Sequence, residues 1–466
     1  MERMQGQWWE PGADESHPGV LTLNDDGGAT LELIGGIDLR IIQHIAPGLS
    51  SYSGATRDTP ILHGRVEAKE ITLVNCIATR TTGMGSPSSQ VFVADQVLIG
   101  ALVESREEPV VRRAFVRIEN LTAWGVLDGL SWTPSRSDED EHTARLRRVP
   151  DQVVNVGGWT YALSVNRAGF NYATTRETAT ITGDMTARII VTPPAPVSLD
   201  DLNATVQELT DFLTLASGQA AGLISMTIEH AVDREWRDPR KRNGPTQKIS
   251  RSIKATGRRI YTASPAEPAM RVWDFRFTAQ DSPFAEVWPK WLELRRLCSS
   301  ASNVYFGDYY APPTYTELRL FSVAVTAEAL HAKLFGEEGA SFDDDAARTA
   351  RDLIKEGLEG EVREMTLSRV QAGATFRERL TFLAAVPDPD AVRLVIPDVA
   401  VWARRLKDAR NGVAHGAIDR VTPEAYRLYT QTRDLVALVF LHELGFSAEV
   451  QRRAASDTMQ HWIAAD

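Results

Sequence analysis

The sequence predicts an α+β protein, with an all-β N-terminal domain, sandwich or barrel-like, followed by an all-α helical bundle. Two observations carry that expectation. Up to about residue 195, short alternating runs are separated by Gly, Asn and Asp turns. From Ser282 onward, apolar residues return every three or four positions instead. A third observation is length: 466 residues exceed the roughly 250–300 at which a single core stops growing. We therefore expect a β domain over 1–195, a mixed extension or connector over 196–280, and a helical domain over 281–466.

The β runs come in order as "GVLTLNDDGGATLELIGG", "GRVEAKEITLVNCIATR", "SQVFVADQVLIGALV", "RRAFVRIENLTAWGVL" and "TATITGDMTARIIV". Short strands joined by polar turns suit a sandwich or barrel. "RSDEDEH" at 136–142 reads as a charged loop. "TPPAPVSLDD" reads as a linker, with Ser198 capping the next helix and Asp201 facing its positive end. Two strand-like pieces follow that helix, "AGLISMTIEHAV" and "AMRVWDFRFTA".

In the helical part, "SPFAEVWPKWLELRRL" opens on Ser then Pro, and Phe284, Val287, Trp288 and Trp291 share one face. "YTELRLFSVAVTAEALHAKLF" is a second helix. The span 343–372 is a third, loosened by Gly357 and Gly360. "FRERLTFLAAV" ends before Pro387. "IPDVAVWARRLKDA" carries Val399, Trp402, Leu406, Ala409 and Val413 at helical spacing. "TPEAYRLYTQTRDLVALVFLHELGF" stops at Gly445 and is apolar nearly all round in its late turns, as a central helix would be.

Composition narrows the function classes. A net charge of −11 speaks against a surface that coats nucleic acid everywhere, while leaving room for a local basic site. No apolar run approaches the roughly 18 residues that span a bilayer, and the N-terminus lacks a secretory pattern. We expect no membrane partner. Cys76 and Cys298 lie far apart, so a cysteine metal cluster is not expected and the compartment reads as cytoplasmic. No zinc spacing, Gly-x-Ser-x-Gly elbow or dinucleotide fingerprint occurs; no metal and no cofactor is expected. "GMGSPSS" at 83–89 lacks the Gly-Lys-Ser/Thr of a phosphate cradle. Of 51 basic residues only eight are lysines, so no single arginine carries weight by itself.

The chemistry-bearing stretch is "KDARNGVAHG", 407–416. Arg410 and His415 are five positions apart; widening the gap to four, five or six also captures Arg57–His63 and Arg136–His142, and those two pairs read as accidental. A regular helix would set His415 roughly 140° round from Arg410. Gly412 or Gly416 can relax the helix and turn both toward one cleft. Arg404, Arg405 and Lys407 make this a basic helix end, a suitable place for an RNA backbone.

"RNGVAH" resembles the Arg, polar residue, three variable residues, His signature of the HEPN superfamily, with Asn411 in the polar position. "GQWWEPG", "HPGVLTL" and "GATLELIGG" resemble the start of the ApeA N-terminal domain. "YTELRLFSVAVTAEALH", "FRERLTFLAAV" and "LHELGF" resemble its partner HEPN domain. The resemblance implies a metal-independent endoribonuclease of anti-phage abortive infection. Its implied catalytic residues are Arg410, His415 and Asn411, the last orienting the histidine or donating to phosphate. It also implies an RNA substrate, a homodimer through the HEPN domain that supplies two histidines, and a phage-derived trigger at the N-terminal domain. The alternative is a non-catalytic HEPN-type scaffold in which Arg410 and His415 hold a dimer together. A carbohydrate-binding β module is a third, more distant reading.

Other residues have bland readings beside functional ones. The eight basic residues of Arg240–Arg259 form either an RNA-tracking strip or a charged loop and edge strand. Trp8, Trp9, Trp124, Trp132 and Trp159 read as β-domain core rather than base-stacking platforms. His442 reads as a core histidine. Asp343–Asp345 read as a helix N-terminal charge cluster rather than a metal site. Glu328 faces either the cleft or solvent.

Overall fold

The computed structural model describes residues 2–463 apart from 25–26, 47–48, 57, 84–86, 126–128, 134–142, 168, 237–245, 258–269, 313, 342–343, 368–369, 371–372 and 415–422. The chain divides into two compact units. Residues 1–122, 127–210 and 221–268 make a β unit, and 123–126, 211–220 and 269–466 make a helical unit.

The β unit begins with β1 (Glu2–Trp9), β2 (His17–Leu23), β3 (Ala29–Ile34), β4 (Arg40–Ala46), β5 (Leu49–Thr56), β6 (Ile61–Val66), β7 (Lys69–Thr82) and β8 (Ser89–Ile99). It continues with β9 (Val111–Ile118), α1 (Leu121–Trp124), β10 (Leu130–Thr133), β11 (Thr143–Leu146), β12 (Gln152–Val156) and β13 (Trp159–Arg167). Then come β14 (Asn171–Thr174), β15 (Ala179–Thr182), β16 (Met185–Thr192) and α2 (Leu199–Ser217). The last strands are β17 (Leu223–His230), β18 (Arg234–Trp236), β19 (Gln247–Ile249) and β20 (Ser252–Gly257).

Six of these strands close into an antiparallel barrel, β8-β3-β2-β1-β6-β7 and back to β8. Of the sandwich-or-barrel expectation, the barrel is what forms. Alternation explains it: Ala29, Leu31 and Leu33 point inward from β3 while Thr30 and Glu32 do not. Trp8, Leu21, Leu73, Phe92 and Val97 fill the interior. Each buried Leu contributes about 1.5–3 kcal/mol relative to exposure. A Cβ at Gly64 would overlap the Trp8 ring, so glycine is required where β6 passes that indole.

β8 is long enough to serve two partners along one edge. Its first half, Ser89–Ala94, pairs with β3, and Gln96–Ile99 pairs with β20. From β20 an open sheet runs on through β17, β9, β16, β13 and β12. Ser198 and Asp201 cap α2 reciprocally: the Ser198 hydroxyl accepts from the Asp201 N–H at 3.1 Å, and the Ser198 N–H donates to the Asp201 carboxylate at 3.4 Å. Leu199–Thr210 belong to the β unit and Asp211–Ser217 to the helical one.

The helical unit holds α3 (Phe284–Leu297), α4 (Ser299–Tyr310), α5 (Thr316–Leu334), α6 (Asp344–Gly357) and α7 (Gly360–Leu367). These are followed by α8 (Phe376–Ala385), α9 (Pro389–Val395), α10 (Val399–Ala414), α11 (Pro423–Glu443) and α12 (Ala448–Ile463). The expected face of α3 is buried, all four of Phe284, Val287, Trp288 and Trp291. Every residue from Asp434 to Leu441 is buried, as a central helix requires. Gly445, at φ +83°, ends that segment.

Three expectations need correction. "AMRVWDFRFTA" is not a strand: Val272–Asp274 form a 3₁₀ turn, with Trp273 62% exposed while Phe275 and Phe277 anchor the segment in the core. The 343–372 helix is two helices, broken between Gly357 and Gly360, the latter at φ +62°. His442 turns to solvent rather than into the core, because it sits past the last apolar turn of α11.

Candidate functional site

Arg410 lies on the last turn of α10, at the margin of a buried stripe of Trp402, Ala403 and Leu406. That stripe orients the helix and leaves Arg404, Arg405 and Lys407 exposed. The Arg410 guanidinium donates through Nη2 to Glu328 Oε2 on α5 at 3.1 Å. Its Cζ lies 5.0 Å from the ring centroid of Phe376, the first residue of α8. A carboxylate and an aromatic face from two other helices thus hold one half-buried arginine, and Glu328 faces this arginine rather than open solvent.

The local reason Phe376 stands there is a capping box. Thr375 Oγ1 accepts from the Glu378 N–H at 3.3 Å, and Glu378 accepts from the Thr375 N–H at 2.8 Å. Glu378 also accepts from the Ser341 N–H at 3.1 Å. Hydrogen bonds from Ser341 and Thr375 draw its pKa down to about 2. The start of α8, and with it Phe376, is pinned.

One helical turn beyond Glu328 on α5 is His331, fully buried. Its Nδ1 lies 3.2 Å from Arg379 Nη1, and Arg379 in turn holds Glu337 through two bonds of 2.8 and 2.9 Å. Burial and then the Arg379 charge push the His331 pKa down, which favours the neutral ring with its proton on Nε2. Phe335 and Phe382 flank it. This imidazole packs the interior of the helical unit.

Asn411 follows Arg410 on α10 and is half-buried. The helix runs through Gly412 to Ala414 without a break. His415 lies outside the described residues. Arg405 and Glu424 pair at 3.1 Å, tying α10 to the first turn of α11 on either side of the 415–422 segment. Phe376 was not foreseen; nothing local in the sequence brings it to Arg410.

The remaining candidates are placed as follows. His63 is buried, with Nε2 3.0 Å from the Val103 carbonyl, whereas Arg57, Arg136 and His142 lie outside the described residues. In the basic stretch, Arg240–Arg242, Arg258 and Arg259 lie outside them too. Arg251 is structural, bonded to Glu70 and to the Gly100 carbonyl, and Lys248 and Lys254 are exposed. Trp8 and Trp124 are core residues, while Trp9 and Trp159 are half-buried. The β unit also has an open cleft of about 430 Å³ rimmed by Glu10, Asp58, Glu104 and Glu107. Among the described residues, no group of three or more His, Cys, Asp and Glu side chains could hold a metal ion, and no helix is long and apolar enough to cross a membrane.

Comparison with protein families adds two matches. A family model described as ApeA N-terminal domain 1 matches residues 3–291, and one described as Apea-like HEPN matches residues 321–450. The second spans Glu328, Phe376, Arg410, Asn411 and position 415 together. Comparisons with curated proteins and with solved structures give no match.

Proposed function

Since the chain belongs to the ApeA family, whose N-terminal domain model covers more than half of it, and carries the ApeA-like HEPN domain behind it, we propose that it is a metal-independent endoribonuclease of anti-phage defence. HEPN membership supports a ribonuclease-type or defence role in general. The finer reading rests on one observation: Arg410, the arginine of the HEPN-like signature, is fixed by Glu328 and Phe376 at the end of α10, immediately before the segment that carries His415.

The chemistry follows from RNA itself, whose 2′-hydroxyl is a nucleophile adjacent to the scissile phosphodiester. His415 takes the 2′-hydroxyl proton or donates one to the departing 5′-oxygen, the work for which imidazole is suited in general. Arg410 offers its remaining guanidinium donors to the non-bridging oxygens, where negative charge grows in the transition state. Asn411 orients the imidazole or the phosphate. Because one imidazole serves poorly as base and acid at once, a two-fold homodimer through the helical domain supplies the second. The N-terminal domain restrains the activity until a phage-derived trigger binds. Products carry 2′,3′-cyclic phosphate and 5′-hydroxyl ends.

One observation favours a second reading, a non-catalytic scaffold. The Arg410 guanidinium is already engaged by Glu328, as a purely structural arginine would be. Incubating the full-length protein and its His415→Ala variant with total RNA, with and without chelator, and mapping new ends separates the two. Cyclic-phosphate ends that persist with chelator and vanish in the variant support catalysis. An uncut RNA pool, with a variant that loses its dimer, supports the scaffold.

A further inference from the structure

The open half of the β-unit sheet has one face packed with apolar side chains and another that is charged. Ala114, Val116, Ala187, Ile189, Val191, Met226, Ile228 and Ile253 are buried on the first. Strand alternation puts Phe115 and Arg117 of β9, Arg188 and Ile190 of β16, Thr227 of β17 and Lys254 of β20 on the second. Register aligns them: Ile190 lies opposite Phe115, Phe115 opposite Thr227, and Thr227 opposite Lys254. Two residues along, in the same direction on antiparallel strands, come Arg188 and Arg117.

Two arginines on neighbouring strands repel each other unless an anion joins them. Arg117 and Lys254 form no ion pair with any described residue, and the buried Arg188 Nε has no hydrogen-bond partner. The Arg188 Cζ stacks 4.9 Å from the Phe115 ring centroid. Glu229 is the acid on this face among the described residues of these strands, and Arg113 lies 3.6 Å from it. A protein of net charge −11 thus concentrates uncompensated cations and a half-buried ring on one flat sheet surface.

We propose that this face binds a single-stranded nucleic acid segment, with backbone phosphates at Arg117, Arg188 and Lys254 and a base stacked beside the Arg188–Phe115 pair. Lys254 stands two strands from Phe115, about 10 Å, within reach of the next phosphate along a strand. The chemistry combines a positively charged track with an aromatic platform, which recognises any base by its π-face. An acidic polypeptide would use the cations but gain nothing from the ring. The site lies outside the HEPN match and goes beyond the ribonuclease reading: strand cutting by the wild-type protein tests that reading, and binding by a non-cutting protein tests this one.

The test uses the full chain carrying Arg410→Ala and His415→Ala, and a fluorescent oligouridylate of about 12 nucleotides followed by anisotropy. Adding Arg117→Gln with Arg188→Gln should weaken binding at least tenfold. It should also flatten the log-affinity against log-salt slope by about 0.7 to 1.4, for one shared or two separate phosphates lost on a single strand. Phe115→Leu should weaken binding about tenfold with that slope unchanged, since it removes a stack and no charge. Unfolding curves matching the parent's confirm that these surface variants fold. Unchanged affinity in the double arginine variant overturns the proposal. Polyglutamate bound as tightly as the RNA through the same arginines, with no effect of Phe115→Leu, overturns it in favour of an acidic protein partner.

Discussion

Glu328 and Arg410, 82 residues apart in the chain, meet at 3.1 Å across α5 and α10. Both side chains are about one-third exposed, so the pair is partly screened and contributes about 1 kcal/mol or less to stability. Its value is positional: one carboxylate sets the azimuth of the guanidinium while leaving other donors free. Glu328→Ala should leave the unfolding midpoint nearly unchanged and lower the RNA cleavage rate about tenfold. Glu328→Gln, which still accepts a hydrogen bond, should recover most of that loss. Equal rates in all three proteins, measured under single-turnover conditions, would remove Glu328 from the positioning role.

A second pair acts in the opposite sense, through stability. Arg276 and Asp434 are buried and 3.2 Å apart, and Arg276 also donates to the Tyr309 hydroxyl at 3.4 Å. Asp434 Oδ2 has no hydrogen-bond partner, so Asp434 depends on its arginine neighbours. Arg276→Met should destabilise the helical unit by about 3 kcal/mol, because it leaves the buried Asp434 carboxylate with Arg433 alone. Adding Asp434→Leu should recover only part of it, because Arg433, 3.6 Å from Asp434, then loses its carboxylate. Urea unfolding followed by tryptophan fluorescence reads both.

What was legible in the residues follows how local the signal is. The α3 face announced itself because Phe284, Val287, Trp288 and Trp291 are large and evenly spaced. The α4 helix did not, since its buried positions are Ala301, Ser302, Tyr305 and Phe306 within a run rich in Ser, Asn and Gly. Strand alternation revealed the β unit, yet barrel closure depends on β8 pairing with both β3 and β7, which no single strand encodes. Phe275 and Phe277 mimicked a strand because an extended anchor alternates as a strand does. At the candidate site, a local signature singles out Arg410. None singles out Phe376, because two helices far apart in sequence bring it there.

The two thiols should be inert in the folded protein. Burial pushes Cys76 up to about 12 and Cys298 up to about 11, so neither forms appreciable thiolate at neutral pH. Ellman's reagent should release no colour within minutes from the native chain and two equivalents after denaturation. Rapid native labelling of either cysteine would show that the core around it opens.

The capping carboxylate of α8 gives the site a defined pH dependence. Glu378 is depressed from 4.5 to about 2 by bonds that only the folded chain makes. The stabilisation is therefore complete above the unfolded value and is lost as pH falls from about 4.5 through 2. Ser341 donates to Oε1 and Thr375 to Oε2; protonation turns one of these oxygens into a hydroxyl and removes the charge from the other, so both bonds weaken, the first turn of α8 loosens and Phe376 moves from the Arg410 face. Hydrogen exchange at residues 376–379, corrected for its intrinsic pH dependence, should rise as pH falls through this window. In Glu378→Gln, which retains a neutral acceptor, the same amides should change little across it. If wild type and Glu378→Gln show the same acid profile, a different group governs that turn, and the link from cap to ring to guanidinium fails.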